Sequence, residues 1–161
     1  MYKNGIINFQ YIIFSSTEKF KFRLKEDFVF ETNINLGKWI LIDPQSNEIV
    51  VICNENEVTV KAGYMWDGST VIGDYYEDMQ TLEASLFHDI LYNAKKNPEG
   101  KKVPFTLFEA DEIHRDHLIT LYENDKSFFK RKIFPWIYYF GLITVGLPWK
   151  FGKNEYYKLE F

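Results

Sequence analysis

The sequence predicts an α+β fold: an N-terminal antiparallel β-sheet followed by an antiparallel helix pair and an aromatic-rich C-terminal helix, in a single domain over residues 1–161. Three observations carry this. Strict alternation of apolar and polar residues, with turn-rich breaks, is confined to residues 1–65, which read as mainly β. Helical periodicity takes over across residues 66–161, which read as mainly α. At 161 residues and 19% aromatic content, the chain is long enough for one sizeable core built from large rings.

Taken in order, Lys19 to Lys25 alternates, with Phe20, Phe22 and Leu24 on one side and Lys19, Lys21, Arg23 and Lys25 on the other, and Phe28 and Phe30 continue the period. Trp39–Ile42 and Ile49–Cys53 are apolar runs joined by Asp43-Pro44-Gln45-Ser46-Asn47, which predicts a hairpin. Val58, Val60 and Ala62 alternate with Thr59 and Lys61 as a further strand leading into Gly63. Asp67-Gly68-Ser69-Thr70 breaks that strand, and Val71 to Asp78 has no clear period, so a loop is delivered here by the sheet.

At helical spacing, Ser85, His88, Asp89 and Tyr92 share a polar arc, with Leu86, Phe87, Ile90, Leu91 and Ala94 opposite. The polar link from Lys95 to Lys102 predicts an exposed, mobile tip. A second helix opens at the capping box Thr106-x-x-Glu109, and Leu107, Ala110, His114, Leu118 and Leu121 form its core stripe. Asp111 falls within that stripe. A carboxylate aimed at a core demands a partner, and the best candidate is His88 on an antiparallel neighbour. His117 lies off the stripe and reads as a helix-edge residue. From Phe128 to Trp149 the chain is apolar and aromatic but is interrupted by Pro135, Gly141, Gly146 and Pro148, which predicts a buried core helix rather than a membrane span. An interfacial or partner-binding surface is the alternative.

A formal net charge of −4 with interspersed charges argues against a general nucleic-acid binder, and the short basic cluster from Lys126 to Lys132 reads as a solvated helix start. Cys53 is the only cysteine, so no intrachain disulfide and no cysteine metal site can form, which fits a reducing compartment. Met1 to Phe14 lacks the pattern of a signal peptide, and no secretion is expected.

The order Ala62-Gly63-Tyr64, Asp67-Gly68-Ser69, His88-Asp89-x-Leu91-Tyr92 and Ala110-Asp111, followed by an aromatic, glycine-containing helix, resembles a family of tailed phages and prophages known as domain of unknown function 1353, over roughly residues 20 to 145. Where that family carries a proline after the Asp-containing loop, Val71-Ile72-Gly73 stands here. The resemblance implies a phage-type protein, cytoplasmic in an infected host or incorporated in a virion, with phage structural proteins as partners.

More distantly, the set is similar to the calcium-dependent phospholipase A2 enzymes of bacterial type. This implies a phospholipid substrate or membrane interface, with His88 as base, Asp111 orienting it and Tyr92 supporting the pair. Calcium (Ca2+) would be held by the Asp89 and Asp67 carboxylates and backbone carbonyls near Gly68, polarising an ester carbonyl. The disulfides of the secreted enzymes are absent, and no glycine-rich calcium loop is present beyond Gly68.

Two other readings stand beside this one. The cluster could be a satisfied polar tie in a virion or tail-associated structural protein, without activity. Alternatively, His88, Asp89, Asp111 and His114 could hold a transition metal.

Overall fold

The computed structural model describes residues 11–13, 22–68, 78–97, 99–144 and 157–161, the side chains of 11–13 excepted. The expected α+β class holds. Strands β1 (Tyr11–Ile13), β2 (Phe22–Leu24), β3 (Phe28–Glu31), β4 (Lys38–Ile42), β5 (Ile49–Asn54), β6 (Glu57–Val60) and β7 (Met65–Trp66) come first. Helices α1 (Met79–Lys96), α2 (Leu107–Leu121), α3 (Phe128–Lys132) and α4 (Phe134–Thr144) follow, and then a strand, β8 (Lys158–Glu160).

The strands form two antiparallel sheets rather than the single one expected. One is ordered β1-β2-β7, the other β3-β6-β5-β4-β8. Phe22, Leu24, Phe28 and Phe30 do point inward on one period, but the chain bends between Leu24 and Phe28. Asp27 holds that bend, its carboxylate accepting from the Ala62 amide at 2.9 Å and from Lys61 Nζ at 2.7 Å. Phe28 consequently pairs with Val60 in the second sheet, whereas Phe22 pairs with Trp66 in the first. The predicted hairpin is β4–β5, and the strand predicted to run on to Ala62 ends at Val60. β8 was not foreseen. It adds to β4 with Leu41 opposite Leu159.

The main core lies between the sheets and α1. Phe30 stacks on Phe87 with centroids 4.6 Å apart, and Trp39, Leu41, Val51, Val58, Leu86 and Ile90 close around them. A second, smaller core, made of Ala84, Leu118, Tyr122, Phe134 and Tyr138, joins α1 to α2 and α4. With cores on two sides, the polar arc expected on α1 is covered as well as its apolar face: every residue from Thr81 to His88 is buried.

Both helix starts follow from local chemistry. Asp78 Oδ1 accepts from the Thr81 amide at 3.0 Å to cap α1, and Thr106 and Glu109 form the predicted capping box at α2. The Asp78 carboxylate also receives Tyr122 OH at 2.5 Å and Lys130 Nζ at 2.7 Å, so one acid ties α1, the end of α2 and α3 together.

The link after α1 is exposed at Glu99, Lys101 and Lys102, as expected, and it carries structure of its own. α1 runs on to Lys96, Asn97 donates to Tyr157 O at 2.7 Å, and residues Gly100–Lys102 form a 3-10 turn. Gly100 is buried so close to the end of α1 that a Cβ there would sit 2.2 Å from Lys95 O.

The aromatic segment also departs from expectation. Pro135 has no amide to continue the hydrogen bonding of α3, and the chain restarts as α4 at Phe134. Phe134, Pro135 and Tyr138 are buried, but Trp136, Ile137 and Phe140 face outward. Among the described residues no helix is long and apolar enough to cross a membrane. The expectations for Lys19 to Lys21, for Ser69 to Glu77 and for Val145 to Trp149 lie outside the described residues.

Phe30→Ala is expected to lower the unfolding free energy by about 3–5 kcal/mol, read from urea denaturation followed by far-UV circular dichroism, because the stacked partner on α1 would be left facing a cavity.

Candidate functional site

A helix covered on both sides has to pair each polar group it carries. Of the polar residues on α1, Ser85 Oγ donates to Leu82 O at 2.8 Å and accepts from Trp66 Nε1 at 3.2 Å. Asn93 Nδ2 donates to Tyr64 OH at 2.8 Å. These two bonds lay the Tyr64-to-Trp66 segment along α1, one near its middle and one near its end. Tyr157 locks the same segment by donating to Met65 O at 3.1 Å while stacking on the Tyr64 ring. Asp67 and Gly68 follow directly, and Gly68 adopts φ +78°, a left-handed turn that a side chain would strain.

The expected helix pairing brings His88 and Asp111 together. His88 Nε2 lies 3.0 Å from Asp111 Oδ1, and Tyr92 OH donates to the same oxygen at 2.7 Å. Asp111 is fully buried. A buried carboxylate accepts, so His88 Nε2 carries the proton and Nδ1 is the nitrogen left for chemistry. Nδ1 lies 3.9 Å from Asp89 Oδ1, and Asp89 is half-buried at the margin of the cluster.

Asp67, at the end of the β7 segment, is half-buried, with Gly68 buried beside it. Burial pushes Tyr64 and Tyr157 well up, and the charges of both Asp67 and Asp89 push them further. Both carboxylates are therefore within electrostatic reach of one stacked pair of rings. Among the described residues no group of three or more His, Cys, Asp or Glu gathers as a metal-ion site, so the His88, Asp89, Asp111 and His114 set is not assembled for a transition metal.

Two residues escaped the sequence reading. His117, expected at a helix edge, is buried, and its Nε2 lies 3.2 Å from Oε1 of Glu83, itself fully buried on α1. Glu83 lies one turn before Phe87 on the core side of α1, an acid inside an apolar stripe. The rule that singled out Asp111 applies to it equally. Between the two acid–imidazole pairs sits His114, its ring 5.0 Å from that of His88 and 5.6 Å from Tyr138 on α4.

The histidines respond to this layer in opposite senses. Burial alone would lower His88, but the hydrogen bond with Asp111, the nearby Asp89 carboxylate and the charges of both outweigh it and hold the imidazole above its ordinary 6.5. Burial, together with the charges of His88 and His117, drives His114 well below 6.5. Burial, then the bond to Asp111, raises the Tyr92 phenol, which stays a donor throughout.

Comparison of the chain with protein-family models, curated proteins and solved structures finds no match.

The titration directions set a pH profile. With its folded value raised, His88 contributes stability that is complete below 6.5 and falls as pH rises through the folded value. With its folded value depressed, His114 contributes stability that is complete above 6.5 and falls as pH drops below it. Urea denaturation between roughly pH 5 and 8.5 is expected to show stability declining on both sides of a maximum. His114→Gln should flatten the acid side, and Asp111→Asn the alkaline side.

Proposed function

We propose that the His88 cluster is the site of a calcium-assisted ester hydrolase of phospholipase A2 type acting on phospholipid. The observation that carries this reading is the orientation of His88, with Nε2 fixed by Asp111 and Nδ1 directed to the side where Asp89 lies. A neutral imidazole held in this way has its lone pair on Nδ1 and takes a proton from water attacking an ester carbonyl there. Asp111 holds the tautomer and stabilises the imidazolium that forms, and Tyr92 fixes Asp111 through the same carboxylate oxygen.

The donor set suits calcium. Asp89 and Asp67 would supply hard carboxylate oxygens, with backbone carbonyls near Gly68 completing the shell. A calcium ion held by these groups would polarise the ester carbonyl and stabilise the developing oxyanion. A phage-type protein acting in an infected bacterial cell is suited to a site that needs no disulfide.

A second reading is favoured by one specific observation. Glu83 and His117 form another buried acid–imidazole pair between the same two helices, so α1 and α2 also use this pairing as a stitch. In that reading the chain is a virion or tail-associated structural protein, and His88–Asp111 is a tie like its neighbour.

Two measurements separate the readings. Addition of roughly millimolar calcium is expected to raise the melting temperature of the wild type and to leave that of Asp89→Asn unmoved. An unmoved wild type sinks the calcium site. Fatty-acid release from phospholipid vesicles should fall to background in His88→Ala, and equal release by the two proteins sinks the mechanism.

A further inference from the structure

The outward face of α3 and α4 is not used by the site and is unlike the rest of the surface. Phe128, Phe129, Ile133, Trp136, Ile137 and Phe140 are each between 41% and 63% exposed. They recur at helical spacing along two nearly continuous helices, bridged where the Ile133 amide bonds Phe129 O at 2.9 Å and Ile137 N bonds Ile133 O at 3.1 Å. The opposite face, Phe134 and Tyr138, is packed into the second core. The stripe is therefore held rigidly outward. Lys130 bonded to Asp78, and Arg115 stacked at 4.8 Å on both Trp136 and Tyr139, fix its two ends to the body of the protein.

Charge tells what fits it. Between residues 126 and 144 the chain has four basic residues, Lys126, Lys130, Arg131 and Lys132, and no acidic one, so the remaining residues carry a formal charge of −8 against −4 for the whole chain. Lys130 is spent on Asp78, but Lys126 and Lys132 are exposed beside the aromatic stripe. Exposed Phe and Trp flanked by basic side chains, on a segment too short to span, is the make-up of a helix that lies in the plane of a lipid surface. A second copy would set its own basic residues against these. A surface of anionic headgroups complements them and repels the acidic remainder, so only this face docks.

We propose that α3 and α4 are a docking surface for anionic phospholipid bilayers, with the six apolar side chains entering the headgroup boundary and Lys126 and Lys132 meeting lipid phosphates. This does not depend on the ester-hydrolase reading, since it uses none of the His88 cluster.

The test is partition onto sedimenting vesicles in EDTA, so that any calcium-assisted hydrolysis stays out of the measurement. Vesicles of phosphatidylcholine alone are compared with equimolar phosphatidylcholine and phosphatidylglycerol. The wild type is expected to bind the anionic vesicles and to bind neutral ones far more weakly. Lys126→Gln with Lys132→Gln should lower partition about 30-fold, each basic side chain near the surface contributing roughly fivefold. Phe128→Ser with Ile137→Ser and Phe140→Ser should abolish binding, and because all three are exposed and none carries the Arg115 contact, the circular dichroism spectrum and melting temperature should be kept. Equal partition onto both vesicles, or undiminished binding by the triple variant, overturns the proposal. So does a dimer in solution that the triple variant breaks, with no vesicle binding by the wild type, since that assigns the face to a second copy.

Discussion

The constraint on which this structure depends is the burial of α1 on both sides. Sheets cover one side and α2 with α4 the other, so the helix has no solvent face from Thr81 to His88. A helix in that position could be wholly apolar, yet this one carries Thr81, Glu83, Ser85, His88 and Asn93. Each is met by a group from a different element: Asp78 and Tyr122, His117, Trp66, Asp111 and Tyr64 respectively. Leaving one such group unmet costs more than a hydrogen bond ordinarily contributes. The polar residues of α1 therefore choose among the packings that hydrophobicity alone would allow, and they fix how the β7 segment and α2 register against it.

The candidate site is a product of that choice. Asp111 is drawn into the interior by two donors on α1, and the loop carrying Asp67 arrives because Trp66 and Tyr64 are already bonded to the same helix. The electrostatic result is asymmetric. Acids raise His88, whereas burial, with the charges of its neighbours, lowers His114. The two adjacent imidazoles are thus displaced in opposite senses.

Much of this was legible before the structure. The hairpin, the capping box and the helix pair have local signatures, and the convergence of His88, Tyr92 and Asp111 followed from one acid placed in an apolar stripe. Glu83 and His117 were missed because α1 was read as having one dry side, and whether a helix is covered once or twice is a tertiary fact. The split into two sheets turned on Asp27 bonding Ala62, a contact between distant residues that no period announces. The aromatic segment misled in the other direction. Hydropathy says that Trp136 and Phe140 are apolar, but not that something covers them.

The strand β8 has a bearing on how the chain reaches this state. Leu159 lies opposite Leu41, so the edge of β4 is closed by a segment that leaves the ribosome more than a hundred residues after it. Until then the β4–β5 hairpin presents a row of unsatisfied amides and carbonyls beside Trp39 and Leu41. Pairings of such long range form slowly. The nascent chain thus passes through a period in which its own sheet margin can recruit a neighbour's strand, and fast synthesis or crowding by sister chains would favour aggregation at that margin over closure.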